Sequence, residues 1–440
     1  IIGIISKIEF EISYLFEFFG SKYNTRIIYI SFLQAFLSAF FSCFIAVPFS
    51  LSLYRNKHLK ITKFVISLCG YSFVIPSILI VHSVIGIYGT NGFLNNIINF
   101  YDFFNINSLF GLKAILIAHI LLNAPFATRL FFQNLNSIPK NYIEIGNSLN
   151  LNFWSFIFKI EWPILKQNLL SIFSIIFILC FLSFATVMAL GGGPQTSNIE
   201  VAIYQAALFE LNFNKAIILS FIQILICFTL LFLGFYKLKG KNYFEVQTDY
   251  FEHPFRDNIF IRSFDYLVIS VFSIILFSPI LYIIFNFIEI IFLENFFSKN
   301  YFLKAFTNSF ILSLITAILV TIFGLIISLL LVNTKKNPIL QQILFLISAM
   351  ILIVSPIIIS LGYFIILGEL RYLSWVIYIV VITINCVFLI PFSILILFTK
   401  LKNIFLNFED IKKVFRISEK NFIKIIYPLI KKNMMKYSCK

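Results

Sequence analysis

Residues that could perform chemistry are few and scattered in this chain. Its 440 residues include 19 Asp and Glu, 4 His and 6 Cys. No GxxxxGK[ST] phosphate loop occurs in the sequence, so we expect the chain itself not to hydrolyse ATP. No CxxC pair occurs either, which argues against a metal site and a disulfide framework. We therefore predict no catalytic residue, no metal site and no cofactor.

The residues that could relay protons through a membrane are His82 and His119, because every Asp and Glu lies in a loop or near the end of a predicted helix. Proton-driven carriers usually keep Asp, Glu or His deep in the membrane. A lone His in an apolar helix is more often a packed, hydrogen-bonded residue. The sequence therefore gives little support to an ion-coupled secondary transporter, and it contains no cluster typical of a membrane enzyme.

The elements that hold these residues are long apolar runs. The chain is 60% hydrophobic and 12% charged, whereas soluble proteins carry about 25% charged residues. A spanning helix needs about 20 apolar residues, and lipid leaves the backbone no hydrogen-bond partner outside the helix. We predict nine complete spans, at 31–53, 64–88, 112–132, 167–190, 215–236, 265–292, 305–332, 339–367 and 373–399.

Basic residues indicate how the spans are oriented. If residues 129–166 are cytoplasmic, alternate loops place 26 of the 34 Lys and Arg on the same side. The net charge of +15 is then explained by the membrane topology, and no nucleic-acid partner is needed. We expect the polar stretch within 129–166 and the C-terminal end of the chain to face the cytoplasm.

The chain repeats itself. The stretch from Glu144 to Pro163 resembles the stretch from Glu409 to Pro428, and Pro125-Phe126 recurs at Pro391-Phe392. The order and orientation are the same, which predicts an all-α polytopic membrane protein with two parallel tandem repeats. We place the repeats at 1–237 and 265–440, joined by a cytoplasmic linker at 238–264. Such duplications build transport pathways between their halves.

The repeated stretch reads as a short helix-turn-helix. Tyr142, Ile145 and Leu149 share one helical face, and Asn152 is a suitable N-cap for a second helix. Pro163 fits the first turn of the following span. The apolar face could lie along its own bundle or fill a groove on a partner, and the pattern does not decide between them.

Both stretches resemble the cytoplasmic loop of binding-protein-dependent ABC permeases, whose pattern is E-A-A, three residues, G, nine residues, I-x-L-P. The spacing is kept in both copies, whereas the two Ala residues and the loop Gly are not. The matching positions in the first copy are Glu144, Ile145, Gly146, Asn150, Ile160, Glu161, Trp162 and Pro163, and in the second Glu409, Asp410, Ile411, Phe415, Ile425, Tyr427 and Pro428.

A more specific resemblance is to the thiamine permeases, a fused two-repeat family. It is carried by "QAFLSA" (34–39), "IAHILLNAPFATRLFFQNLNSIP" (117–139) and "LCFLSFATVMALGGGPQTSNIEVAIYQAA" (179–207). It implies the type I importer fold with twelve spans, in the bacterial inner membrane. Its implied partners are two copies of an ABC ATPase and a periplasmic binding protein, with thiamine as substrate. Iron(III) is the alternative substrate.

The resemblance also implies roles for particular residues. The coupling loops, 140–163 and 405–428, would dock into the ATPase, with Glu144 and Glu409 at the interface and Ile145, Leu149 and Trp154 as apolar contacts. Nine spans of an expected twelve suggest an incomplete chain, or a natural short form. A bend after the fourth complete span is either a plain helix end or an external gate that contacts the binding protein, and its residues are Gly191, Gly192, Gly193, Pro194 and Glu200.

Overall fold

The computed structural model describes residues 12–70, 75–99, 109–236, 253–256, 258–293, 300–334 and 353–414. All regular structure within these ranges is helical, which confirms the predicted fold class. Eight helical stretches there are long and apolar enough to cross a membrane. Of the eighth predicted span, 339–367, the first part lies outside the described residues.

The helices of residues 12–236 are numbered in chain order. They are α1 (Ile12–Gly20), α2 (Lys22–Arg55), α3 (Lys60–Leu68), α4 (Ser77–Tyr88), α5 (Phe93–Ile98), α6 (Leu112–Leu135), α7 (Lys140–Ser148), α8 (Phe153–Phe156), α9 (Trp162–Phe181), α10 (Ala185–Leu190), α11 (Ile199–Leu208) and α12 (Phe213–Tyr236). A π-helical turn, Ile157–Glu161, joins α8 to α9 without a break. The later helices are α13 (Ile259–Leu293), α14 (Asn300–Asn333), α15 (Pro356–Leu367) and α16 (Ser374–Val414).

The chain divides into two compact units, Ile1–Lys299 with Ile357–Gly362, and Asn300–Pro356 with Tyr363–Lys440. In the first unit α2 packs against α6 and α9, and α13 packs against α2, α4 and α6. In the second unit α14 packs against α16. Helix α13 therefore belongs to the first unit, although the sequence assigns it to the second repeat. The repeat boundary within 238–264 stays a prediction.

Matched prolines occupy matching places in the two predicted repeats. Pro76 immediately precedes α4 and Pro356 begins α15, and both helices have 12 residues. Pro125 lies inside α6 and Pro391 lies inside α16. Proline suits the start of a helix because it has no N–H to leave unpaired there, and inside a helix it removes one hydrogen bond. These places agree with a duplicated arrangement of helices.

Two predicted spans are wrong as single helices. The span at 64–88 is divided into α3 and α4, because Pro76 has no N–H and disfavours helical backbone at the residue before it. The span at 167–190 is divided into α9 and α10, although no Gly or Pro lies at the break. A distant side chain stabilises this second break, since Asn198 Nδ2 donates a hydrogen bond to the Ser183 carbonyl at 2.6 Å.

The segment after α10 folds back into the bundle. The Gly111 N–H, at the start of α6, donates to the Leu190 carbonyl at 2.8 Å. The chain then reverses at Gly192 and Gly193, whose φ angles are 69° and 123°. The Ile199 N–H donates to Ser31 Oγ of α2 at 2.8 Å. Residues between the fourth and fifth predicted spans are therefore not only a loop, because they also form the largely buried helix α11.

Candidate coupling site

Helix α7 forms the first half of the predicted helix-turn-helix. Ile143 and Gly146 are buried, whereas Tyr142, Ile145 and Leu149 are between 55% and 66% exposed. The predicted apolar face therefore exists and is not covered by the part of the chain that the structure describes. Beside it Glu144 pairs with Lys140 at 3.3 Å, and both side chains are exposed.

The turn after α7 is a Schellman-type helix end. The Leu151 N–H donates to the Gly146 carbonyl at 3.2 Å, and Asn150 has a φ of 45°. Asn150 stands where the family pattern has Gly, and Asn tolerates this left-handed backbone better than most residues. Asn152 Oδ1 then accepts from the Ser155 N–H at 2.8 Å, which confirms its predicted role as N-cap.

The two halves of the helix-turn-helix pack closely at Gly146. A Cβ atom added there would lie 2.5 Å from Ile160 Cδ1 and 3.0 Å from Phe156 Cε2. Phe156 and Ile160 are both buried. Trp162 and Pro163 form the first turn of α9, as predicted for the proline. Movement of α7 would therefore press directly on the π-helical turn and on the spanning helix that follows it.

Two aromatic side chains of the second half are also exposed. Trp154 is 66% and Phe158 61% exposed, and their rings stack with centroids 6.3 Å apart. Trp154, Phe158 and the exposed face of α7 together form an outer surface of the helix-turn-helix that has both apolar and charged side chains. Such a surface fits a groove on a partner protein better than it fits water.

Glu161, a position of the predicted coupling loop, is not part of that outer surface. Its side chain is 0% exposed, and its Oε1 is hydrogen-bonded to His253 Nε2 at 3.1 Å. Its Oε2 lies 4.0 Å from Arg55 Nη1. Arg55 in turn donates from Nε to Asp265 Oδ2 at 2.9 Å. We call Arg55, Glu161, His253 and Asp265 the buried charge cluster.

Sequence reasoning missed three members of this cluster. Arg55, His253 and Asp265 come from separate parts of the chain and share no periodicity with each other or with Glu161. The one available signal is that Arg55 and Asp265 lie next to apolar runs. A charge at the end of an apolar run is usually read as facing water, so only the packing of α2 against α13 reveals the pairing.

The second copy of the stretch differs from the first. Glu409, Asp410 and Ile411 lie on the last turns of α16, which continues without a break from the preceding span. In the first copy residues 136–139, ending at Pro139, separate α6 from α7. No Gly or Pro occurs between Pro391 and Pro428, so nothing in the local sequence ends the helix. The remaining predicted residues lie outside the described residues: Phe415, Ile425, Tyr427 and Pro428.

A bend is present where the external gate was predicted, and the gate itself stays a prediction. Gly191, Gly192, Gly193 and Pro194 form the chain reversal. Glu200 was expected to face water or a partner, yet it is 0% exposed on the first turn of α11. Its Oε1 accepts a hydrogen bond from Gln223 Nε2 of α12 at 2.8 Å, so this carboxylate is directed into the bundle.

The two deep histidines occupy different environments. His119 is buried and its ring nitrogens are hydrogen-bonded to Ser38 Oγ at 3.0 Å and Thr186 Oγ1 at 3.1 Å. It is therefore a packed residue that joins α6 to α2 and α10, as expected. His82 is exposed on α4, and its Nε2 lies 3.4 Å from Asn286 Nδ2 of α13.

Comparison with known proteins finds relatives that are permease proteins of transport systems. No protein-family model matches the chain. The thiamine transport system permease protein of Haemophilus influenzae is 32% identical over 398 residues, which cover 89% of this chain and 73% of that protein. Its Salmonella typhimurium counterpart is 36% identical over 216 residues, or 48% of this chain and 40% of that protein. The ferric transport system permease protein of Actinobacillus pleuropneumoniae is 28% identical over 144 residues, or 32% of this chain and 20% of that protein.

The first of these similarities extends through both predicted repeats. An alignment that covers 89% of the chain necessarily includes most of each repeat, as well as the coupling stretch, the folded-back segment and helix α13. The eight apolar helices agree with a multi-pass membrane protein. The chain therefore belongs to the thiamine transport permease family.

Proposed function

We propose that this chain is the membrane-spanning subunit of an importer that moves thiamine into the cell. ATP hydrolysis on a separate subunit drives the transport. The observation that supports this best is the similarity to a thiamine permease over 89% of the chain, whereas similarity to a ferric permease covers 32%. The chain would form the transport pathway and would not be an enzyme itself, because its partner hydrolyses the ATP.

The partners follow from the same family membership. We propose two copies of an ABC ATPase on the cytoplasmic side and a substrate-binding protein on the periplasmic side. The exposed apolar residues Ile145, Leu149, Trp154 and Phe158 support the first of these, because an unpartnered amphipathic helix is suited to a groove on another protein. Glu144 lies on the same helix and would contact the ATPase there.

Iron(III) is the second candidate substrate, and the ferric permease relative is the observation that favours it. Uptake of labelled thiamine distinguishes the two. The test uses a thiamine-requiring bacterium that carries the full-length gene with its ATPase and binding protein, challenged with excess ferric iron. We expect uptake that needs ATP and is not reduced by iron. Iron uptake without thiamine uptake from the assembled complex would contradict the proposed substrate.

The role of the coupling loop is tested with Glu144→Lys. We expect at least a tenfold loss of uptake, because the reversed charge would face the ATPase, while the permease is still inserted in the membrane. The matched control is the double variant K140E/E144K, which keeps an ion pair on α7 in the reverse order. If the double variant regains uptake, the pair within α7 matters and the contact with the ATPase does not. Normal ATPase association and uptake in E144K would also contradict the proposal.

A further inference from the structure

We infer that the buried charge cluster transmits movement of the coupling loop to helices α2 and α13, with Glu161 as its positioning residue. This inference rests on the proposed function, since it assumes that the loop is moved by an ATPase. Glu161 would act through Arg55 and would not touch the substrate or the ATPase itself.

The cluster joins four separate segments of the first compact unit. Arg55 is the last residue of α2, Glu161 ends the π-helical turn, and Asp265 lies in the second turn of α13. His253 belongs to the short described segment that precedes α13. The four residues are between 0% and 7% exposed. Charges buried this deeply interact strongly, because little water screens them.

On one side of the cluster, the ion pair between Arg55 and Asp265 is fully formed. Arg55 Nε lies 2.9 Å from Asp265 Oδ2 and 3.1 Å from its Oδ1, and Arg55 Nη2 donates to the same carboxylate. Asn56 Nδ2 adds a hydrogen bond to Asp265 Oδ2 at 3.2 Å. A forked guanidinium–carboxylate contact fixes orientation as well as distance. Helices α2 and α13 are therefore clamped to each other at this point, and they would move together.

On the side of the cluster that faces the coupling loop, Glu161 makes its contact with His253 but not a hydrogen bond with Arg55. Glu161 Oε1 is hydrogen-bonded to His253, whereas Glu161 Oε2 and Arg55 Nη1 lie 4.0 Å apart and make no hydrogen bond with any residue that the structure describes. A charged hydrogen bond needs a distance of about 2.7–2.9 Å. A shift of the π-helical turn by about 1 Å would therefore complete the contact. Two arrangements of Glu161, separated by a small displacement, are the kind of element that a switch requires.

The coupling loop is in direct contact with this switch. Gly146 of α7 packs on Ile160, the residue that precedes Glu161. On the other side of the turn, the ring of Phe153 lies 5.3 Å from the Arg55 guanidinium carbon. Pressure on the exposed face of α7 would thus reach Glu161 through Ile160. It would then reach α2 and α13 through Arg55.

The first test measures thiamine transported per ATP hydrolysed by the complete transporter in proteoliposomes. We expect Glu161→Gln to lower this ratio at least tenfold with basal ATPase activity retained. Glu161→Asp should lower it less than Glu161→Gln does, because Asp keeps the charge but holds it one methylene farther from Arg55. The double variant E161Q/H253Q should have the same transport ratio as E161Q, because Glu161 and His253 act as a unit. The matched control is Glu210→Gln, the same chemical change in an exposed ion pair with Lys215. A wild-type ratio in E161Q would overturn the inference.

A second readout does not depend on the substrate. Spin labels at Tyr29 on α2 and Ser148 on α7, both outside the cluster, report the distance between these helices with and without ATP. In the wild type we expect ATP to change the distance between the two labels, and in E161Q we expect no such change. If thiamine is not transported but this loss is seen, the substrate proposal fails and the inference stands. An unchanged nucleotide response in E161Q overturns the inference whatever the substrate is.

A third variant separates coupling from folding. Removing one partner of a buried ion pair can unfold a protein, whereas replacing the whole set by apolar residues is often tolerated. The variant R55M/E161M/H253F/D265L removes all the charges together. We expect it to assemble with the ATPase and to hydrolyse ATP without transport. Normal transport per ATP in this variant would show that the charges are structural only.

Discussion

At the scale of the residue, burial and not residue type decides what each carboxylate can do. Glu144 is exposed and pairs with Lys140 on the same helix. Glu161 and Glu200 are fully buried, and each is hydrogen-bonded to a side chain from a distant segment. A surface pair contributes little to stability, about 0–1 kcal/mol, so Glu144 is free to exchange its partner for another protein. The buried carboxylates are positioned by the fold instead.

Gly146 gives a prediction at this scale. Its hypothetical Cβ would lie 2.5 Å from Ile160 Cδ1, which is the far end of a side chain and can shift slightly. We expect Gly146→Ala to keep most uptake, whereas Gly146→Val should lose it and destabilise the protein by about 1–3 kcal/mol, as overpacking does. Thermal unfolding in detergent and thiamine uptake measure the two effects. Equal behaviour of the two variants would contradict this account of the packing.

Asn150 gives a second prediction, because its φ of 45° costs most residues about 1–2 kcal/mol. Asn150→Gly should leave the thermal unfolding temperature unchanged or raise it, since Gly adopts this backbone readily. Asn150→Ala should lower the unfolding temperature. Asn147→Ala, on the exposed side of α7 just before the turn, is the control with ordinary helical backbone. A lower stability for the Gly variant than for the Ala variant would contradict the assigned turn.

At the scale of the element, the interrupted helices show what sequence patterns reveal. The break before α4 is marked by Pro76, so it could be expected from the sequence. The break between α9 and α10 is not marked by any local signal, because it depends on the side chain of Asn198, which lies 15 residues after Ser183 in the sequence. Helical periodicity describes local preference, and a contact made by the tertiary fold overrides it.

Asn198 therefore gives the element-scale prediction. Its Nδ2 donates to the Ser183 carbonyl, and its Oδ1 caps α11 by accepting from the Val201 N–H at 3.0 Å. Asn198→Ala should lose both contacts and remove the Asn198 donor from the part-buried Ser183 carbonyl, at a cost of about 2–4 kcal/mol. Asn152→Ala, which loses only a cap at the edge of the protein, should cost about 1 kcal/mol. Thermal unfolding of both variants tests the difference, and equal losses would mean that the Ser183 contact adds nothing.

At the scale of the whole molecule, the sequence predicts the class of fold well and the site in part. Apolar runs and repeated prolines indicate a duplicated helical membrane protein, because a bilayer tolerates few other structures. The exposed face of α7 and the Asn152 cap follow from local rules. The buried charge cluster does not, because its members meet only when α2 packs against α13. Local chemistry is thus readable from the sequence, and long-range pairing requires the fold.

The last prediction concerns how the molecule is oriented in the membrane. The excess of Lys and Arg in alternate loops predicts that Ser148, on exposed α7, lies in the cytoplasm and that Asn91, in the turn after α4, lies outside. We would introduce Ser148→Cys or Asn91→Cys into a variant whose six native cysteines are replaced by Ser. In intact spheroplasts an impermeant thiol reagent should label N91C, and it should label S148C only after the membrane is permeabilised.

This labelling pattern decides whether the coupling site can work as proposed. ATP is hydrolysed in the cytoplasm, so the exposed face of α7 can meet an ATPase only if S148C is protected in intact cells. Labelling after permeabilisation is the control that shows both thiols to be reactive. Labelling of S148C in intact spheroplasts would place α7 outside, because a charged reagent cannot cross the bilayer. The basic loops and the coupling loop would then both have been assigned to the wrong side.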